Sequence, residues 1–414
     1  MGRPRVLLID PPSQRPVLRD YYCSTRPKAG YRWHPVDLLA LATRLAGDVS
    51  ILDCVSRRLD PSAARRRVEE IRPDCIVGLV SARTEAADLR FLEGLDAPRL
   101  VLSGEVALDP AFDFAAHPNV AGLLLDFTAP EAADFVLGEP AAGRVRTPDH
   151  VPSAPPRGVE YRLGGVFPAL AGRYSLPLWQ GGFASLLTDF GCTFACAFCN
   201  SGRHSIGHKL RALDEVDEEV AALAARGVRR LYLRDMTFGG VPGHTAQVLQ
   251  MLARHDFALR AFLRADLVDD AMADGLAAGG LHLAQIGVEA PTAAGRQALG
   301  KQLADHALRA ASERLRKRGI AVGLHFTVGA PGDDAGRADA CRRYAGELGA
   351  AYCSINVLQQ RHGCEPVHAP AQEASRRLHQ AARRAMRAYN VRAPVALAAA
   401  RFRRGRRAIS ERSL

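Results

Sequence analysis

The chain has 414 residues, 48% apolar and 24% charged, with a formal net charge of +11, a balance that gives a globular protein two or three hydrophobic cores and excludes a low-complexity or fibrous chain. No apolar run approaches the roughly 20 residues that cross a bilayer, which excludes a helical membrane span. Residues 1–5 lead straight into a strand-like run rather than a secretory leader, and the nine cysteines are an odd number with three of them clustered; both point to a reducing, cytoplasmic setting.

Residues 5–12 form a short continuous apolar run stopped by Pro11 and Pro12, the pattern of a strand buried on both faces. Runs at 49–53, 75–80, 99–103 and 120–125 repeat it, separated by helix-like segments at 35–46, 61–71, 84–94 and 130–137. Strands alternating with helices predict a doubly wound, Rossmann-like parallel sheet over 1–138. Ligands of such a sheet sit beyond the carboxyl ends of its strands, here near 11–13, 81–84 and 103–105. Residues 139–183 read as a linker and entrance segment, proline-rich at first and carrying Trp179 near the end.

From 184 the alternation resumes, with strands expected at 184–189, 230–233, 261–263, 283–288, 321–328 and 352–358 and helices at 214–226, 245–255, 268–278, 303–318 and 334–348. Such units pair in parallel through right-handed crossovers, and the partial (β/α)6 barrel they build over 184–360 works at the carboxyl ends of its strands. Residues 361–414 form a basic helical tail. There Arg376, Arg383 and Arg387 recur on one helical face and Leu378, Ala382, Ala385 and Tyr389 on the other. A packed helix with a solvated arginine face accounts for the charge; a nucleic-acid arm is the competing account.

The chemistry is concentrated after the run that ends at Asp189. Cys192, Cys196 and Cys199 stand at a C-x3-C-x2-C spacing, close enough for all three thiolates to ligate one centre. A [4Fe-4S] cluster normally takes four cysteines, so three leave one iron open to a ligand. The competing use is a closed zinc site completed by His204 or His208.

This spacing, with Phe198 just before the last cysteine, resembles the signature of the radical S-adenosylmethionine (SAM) enzymes. The resemblance implies that the open iron holds the amino and carboxylate groups of SAM, and that an external one-electron donor such as flavodoxin or ferredoxin drives SAM cleavage to a 5'-deoxyadenosyl radical. On the same likeness Phe198, Asp235, Arg264, Gly287, Glu289 and Gly329 are the SAM-side candidates, with Asp235 for the amino group, Arg264 for the carboxylate and Glu289 for the ribose. Residues 1–138 resemble the cobalamin-binding domain of one large subclass, through Asp10-Pro11-Pro12, the 35–42 segment, Ile51-Leu52-Asp53 and Leu102-Ser103-Gly104. Ser81, Ser103 and Gly104 are its cobalamin-side candidates. Glu105 replaces an expected glycine, and Asp126-Phe127-Thr128 stands where a Gly-Glu-Gly-Glu loop is usual.

After the sixth strand, His362, Cys364 and Glu365 replace the subclass's usual proline-rich turn and are the candidate catalytic residues. The resemblance as a whole implies an enzyme that modifies a small organic molecule, by cobalamin-dependent methylation in secondary metabolism. The alternatives are cobalamin-independent radical chemistry beside a vestigial first domain, and a zinc-stabilised nucleic-acid-binding protein.

Overall fold

Strands with no polar face must be covered on both sides, and the chain covers them with helices. A computed structural model describes residues 4–20, 23–25, 31–45, 47–129, 131–138, 174–176, 179–180, 182–200, 206–359, 361, 369–391 and 393. Two compact units emerge: Met1–Gly191 with Asn200–Val216 and Arg361–Gly363, and Cys192–Cys199 with Asp217–Gln360 and Cys364–Leu414. Most of the expected linker, together with His204, His362, Cys364, Glu365 and the arginines beyond 400, lies outside the described residues.

In the first unit β1 (Arg5–Asp10), β2 (Asp48–Asp53), β3 (Cys75–Val80), β4 (Arg99–Gly104) and β5 (Val120–Leu123) form one sheet in the order β2-β1-β3-β4-β5. Every neighbouring pair is parallel. The winding reverses between β1 and β3, so the crevice of this doubly wound sheet opens beyond Asp10 and Val80. The helix expected at 35–46 is shorter, Val36–Ala42; at its end Thr43 turns both its N–H, at 3.2 Å, and its hydroxyl, at 2.7 Å, onto Ala40 O. A four-residue helix, Cys54–Arg57, was not expected; it starts where the Asp53 side chain caps Ser56 N and stops at a left-handed Arg58, too short to leave a periodic trace in the sequence.

Of the six strands expected from 184 onward, Ala184–Leu186 (β6) groups with the first unit. The other five, β7 (Arg230–Phe238), β8 (Ala258–Leu263), β9 (Leu281–Glu289), β10 (Ala321–Val328) and β11 (Tyr352–Val357), pair consecutively and in parallel in the second unit. This is α/β architecture with parallel sheets, and a helical C-terminal region follows it. β7 runs five residues past its expected end at 233. Arg234 and Asp235 read as the end of an apolar run, yet they are only 5% and 1% exposed, and the pairing with β8 shifts register between Leu233 and Phe238.

The C-terminal helix Gln372–Asn390 buries Leu378, Ala381, Ala382 and Ala385 and leaves Arg376, Arg377, Arg383, Arg384 and Arg387 exposed. Its last turn closes the outer edge of β11. The Asn390 amide accepts from Cys353 N at 2.9 Å and donates to Cys353 O at 2.8 Å, while Ile355 N donates to Met386 Sδ at 3.2 Å. A side-chain amide thus takes the place of a neighbouring strand. Replacing Asn390 with Ala leaves both backbone groups of Cys353 without this partner; the expected loss is about 1–3 kcal/mol, read as a lower urea midpoint at unchanged slope. Ending the chain after Pro370 should lower solubility, and a gel shift of the full chain should find no salt-sensitive nucleic-acid affinity.

Candidate active site

The cysteine loop leaves the first unit at Gly191, whose φ of +75° admits Gly207 so closely that a Cβ would lie 1.6 Å from its carbonyl oxygen. Only glycine fits there. Cys192, Cys196 and Cys199 are all partly exposed, and Cys199 N donates to Cys196 O at 3.1 Å in a tight turn that also carries the half-buried Phe198. Cys192 Sγ lies 3.7 Å from Thr237 Oγ1 beyond the bend in β7. Burial pushes the Cys196 thiol up; Lys301 is the strongest opposing influence, pulling it down, while Cys199 and Glu289 raise it and Arg264 lowers it.

Second-unit loops close on these thiols. Gly300, at φ +66°, approaches Ala197 so nearly that a Cβ would meet Ala197 N at 3.0 Å, and a Cβ on Gly240 would meet Thr193 Oγ1 at the same distance. The Arg264 guanidinium lies over the Phe194 ring, 4.1 Å from its centroid. It also donates to both Asp266 carboxylate oxygens, at 2.8 and 3.0 Å, and to Gln302 O at 2.7 Å. Its charge is therefore shared with Asp266.

Glu289 ends β9 in the left-handed region, at φ +68°. Such a backbone costs about 1–3 kcal/mol and persists only where its surroundings hold it. Lys301 Nζ donates to one carboxylate oxygen at 3.0 Å and Thr327 Oγ1 to the other at 2.9 Å. Gly287 leaves room for this pair, since a Cβ there would stand 2.6 Å from Glu289 Oε1 and 2.7 Å from Lys301 Nζ. Gly329, at φ +103°, opens a turn that Asp333 closes by accepting from Gly329 N at 2.9 Å and Ala330 N at 3.2 Å. Asp235 is buried beside the bend in β7.

The cysteine loop, Arg264, Gly287 and Glu289 are thus drawn into one neighbourhood, and Gly329 shapes a separate turn. Reading strand ends alone missed Lys301, Thr327 and Phe194. Thr327 left a trace, a hydroxyl inside the apolar run 321–328; Lys301 stands in a loop that no periodicity marks.

Three thiolates on one short loop suit an iron-sulfur cluster, and they would complete a zinc site only with a fourth ligand such as a histidine. His208 instead pairs with Asp189, Nε2 to Oδ2, at 3.1 Å.

At the strand ends of the first unit the polar groups are engaged internally. Ser81 N donates to Asp88, the Ser81 hydroxyl accepts from Arg83 N, and the Ser103 hydroxyl donates to Leu124 O. Gly104, at φ +89°, packs where a Cβ would be 2.7 Å from Val80 O. Glu105 accepts from Ala82 N at 3.0 Å and pairs with Arg361 at 2.8 Å. In the β1/β3 crevice Arg19 bridges Asp10 at 2.6 Å and Asp88 at 2.7 and 2.9 Å. Burial is the largest influence on both carboxyls and pushes them up; Arg19 opposes it. Asp126 and Thr128 hold Lys209, which gives the departure at 126–128 a structural use.

Residues 188–343 match the radical SAM superfamily. Among curated proteins, a tryptophan 2-C-methyltransferase of Streptomyces laurentii is 27% identical over 121 residues, 27% of this chain but only 20% of that one. An uncharacterised methyltransferase of Pyrococcus horikoshii is 21% identical over 85% of this chain and 80% of its own length. Among solved structures, the radical SAM methyltransferase TsrM of Kitasatospora setae, with cobalamin and a [4Fe-4S] cluster bound, superposes with a TM-score of 0.64 at 19% identity over 87% of this chain and 76% of its own. The cobalamin-dependent radical SAM enzyme OxsB gives 0.58 at 13% identity over 94% of this chain, which spans 56% of OxsB. At these identities the likenesses establish the shared fold.

If Glu289 and Asp235 bind SAM, replacing either with Ala removes a charge-assisted hydrogen bond worth about 1.5–3 kcal/mol, and SAM affinity should fall roughly ten- to a hundredfold. Lys301→Met should lower it as well, by freeing Glu289 from its strained position. Equilibrium binding of SAM to the iron-loaded protein checks all three, and unchanged affinity in Glu289→Ala and Asp235→Ala would put SAM elsewhere.

Proposed function

We propose that this chain, a radical SAM enzyme through residues 188–343, methylates a small organic molecule with the help of cobalamin carried by its first unit. The observation that carries the reading is the meeting, within one unit, of a three-thiol loop and a carboxylate pinned at a strand end beside it. The radical SAM family uses a [4Fe-4S] cluster and SAM, and here Cys192, Cys196 and Cys199 would hold the cluster, which supplies the electron for reductive cleavage of SAM.

The chain's own part is positioning. Lys301 and Thr327 fix Glu289 so that its carboxylate oxygens present one geometry to ribose hydroxyls. Asp235 offers a buried carboxyl group to an ammonium group. Arg264, clamped by Asp266 and Gln302 O, holds Phe194 and with it the cysteine loop. Radical SAM enzymes also take an external reductant, and flavodoxin or ferredoxin is the donor proposed here. Among the described residues no helix is long and apolar enough to cross a membrane.

Support for methylation comes from the shared two-part fold of TsrM and OxsB and from the two methyltransferase relatives. One observation favours a second reading, radical chemistry without cobalamin: Ser81, Ser103 and Glu105 are engaged internally and Arg19 fills the crevice at the strand reversal. These side chains do not fit the role of cobalamin ligands.

Protein purified and reconstituted without oxygen should be brown, and in the Cys192→Ala, Cys196→Ala, Cys199→Ala triple variant it should lose iron and colour. With SAM and dithionite, 5'-deoxyadenosine reports reductive cleavage and S-adenosylhomocysteine reports use of SAM as methyl donor. Both are expected, the second only after loading with hydroxocobalamin. Cobalamin-independent turnover would favour the second reading, and full iron in the triple variant would sink the cluster assignment.

A further inference from the structure

The barrel strands of the second unit have two unlike faces. Outward positions are aliphatic or aromatic and buried, among them Leu259, Ala261, Ile286, Leu324 and Ile355. A closed barrel would repeat such residues on its inner face. Here the alternate positions on β8 to β11 include the buried Arg260, Leu283, Ala321 and Thr327, but also Phe262, Gln285, His325, Tyr352 and Ser354, all partly exposed, and Asn356, exposed. Partial exposure of alternate positions across several inner strands is the mark of a cavity wall rather than a packed core.

Rings follow one another across this wall. Tyr232 and Phe262 have centroids 6.5 Å apart, Phe262 and His325 meet edge-on at 5.1 Å, and His325 and Tyr352 at 5.7 Å. Tyr352 lies flat because Gly323 has no side chain; a Cβ there would be 2.2 Å from the ring. Leu283 and Ala321 pack against the tyrosine. Its hydroxyl takes a hydrogen bond from Gln285 Nε2 at 3.0 Å and lies 2.9 Å from His325 Nε2. Which of the Tyr352 hydroxyl and His325 Nε2 donates is set by the histidine tautomer, and Gln285 Nε2 also lies 3.4 Å from the same ring nitrogen. The wall therefore joins ring faces to groups able to donate and accept hydrogen bonds.

We infer that this wall is the substrate floor, and that it takes a planar, conjugated molecule bearing a hydrogen-bonding group, with its ring against Phe262 and His325 and its polar edge toward Tyr352, His325 and Gln285. The inference rests on the enzymatic reading above and narrows it to a substrate class. A saturated substrate of the same size would lose the ring contacts, which exceed simple area burial, and a plain hydrocarbon would gain no hydrogen bond from Gln285, His325 or Tyr352.

The test uses the full chain loaded with iron and SAM without oxygen, and three probes: benzamide, cyclohexanecarboxamide and toluene. Saturation-transfer NMR should place benzamide on the protein, with the other two at least tenfold weaker. Tyr352→Phe keeps the ring and loses the hydroxyl, so benzamide should bind about three- to tenfold more weakly, the range of one net hydrogen bond. Phe262→Leu should weaken benzamide and leave cyclohexanecarboxamide unchanged. Equal binding of the aromatic and saturated amides, or benzamide binding indifferent to both substitutions, overturns the inference. Release of 5'-deoxyadenosine by the wild-type protein with SAM and dithionite alone judges the enzymatic reading separately: its absence beside selective benzamide binding would fail that reading and leave the floor standing.

Discussion

A carboxylate residue at φ +68° does not rest there unaided, and the means that hold Glu289 organise the second unit. One oxygen is tied to Thr327 in the next strand, the other to a lysine that follows Gly300, and Gly300 packs on the cysteine loop at Ala197. Removing one member of a buried ion pair costs about 3–5 kcal/mol, so the strand end, the loop and the thiols share one constraint. Lys301 is also the strongest influence drawing the Cys196 thiol downward. A single cation thus fixes a carboxylate and offsets part of the upward push that burial gives the neighbouring thiol.

The first unit spends its polar residues differently. At the position where a doubly wound sheet offers its crevice, Arg19 is bound by Asp10 and Asp88 and all three are buried. Glu105, in place of a glycine, braces Ala82 N and reaches Arg361. Substitutions that read in the sequence as departures from a ligand site are thus structural members. The hydroxyls and carboxylates named for this edge each already hold a partner within the unit.

Much of the architecture was legible because both sheets are parallel. Their strands carry uninterrupted apolar runs, and 75–80 and 321–328 were bounded correctly to the residue. Errors gathered where burial and polarity disagree. Arg234 and Asp235 are charged yet buried, and their charge hid the second half of β7. The cysteine loop was legible as a loop from its spacing, whereas Gly287 and Glu289 were named through a family likeness at a strand end. Lys301 was not, because the loop between Ala298 and Asp305 has no period and its partner lies twelve residues back. The polar inner wall was illegible for a related reason: Gln285, His325 and Tyr352 each looked like an isolated interruption, and only the parallel register brings them together.

The amide of Asn390 has a consequence in time as well as in space. The last strand of the second unit keeps an open edge until a residue 37 positions further along the chain supplies its missing partner. Without that helix the backbone of Cys353 and Ile355 lacks these partners, and such an edge is a template for another strand. Completion of the unit is thereby deferred until its final helix has been made, and early collapse with a neighbouring chain becomes the competing fate.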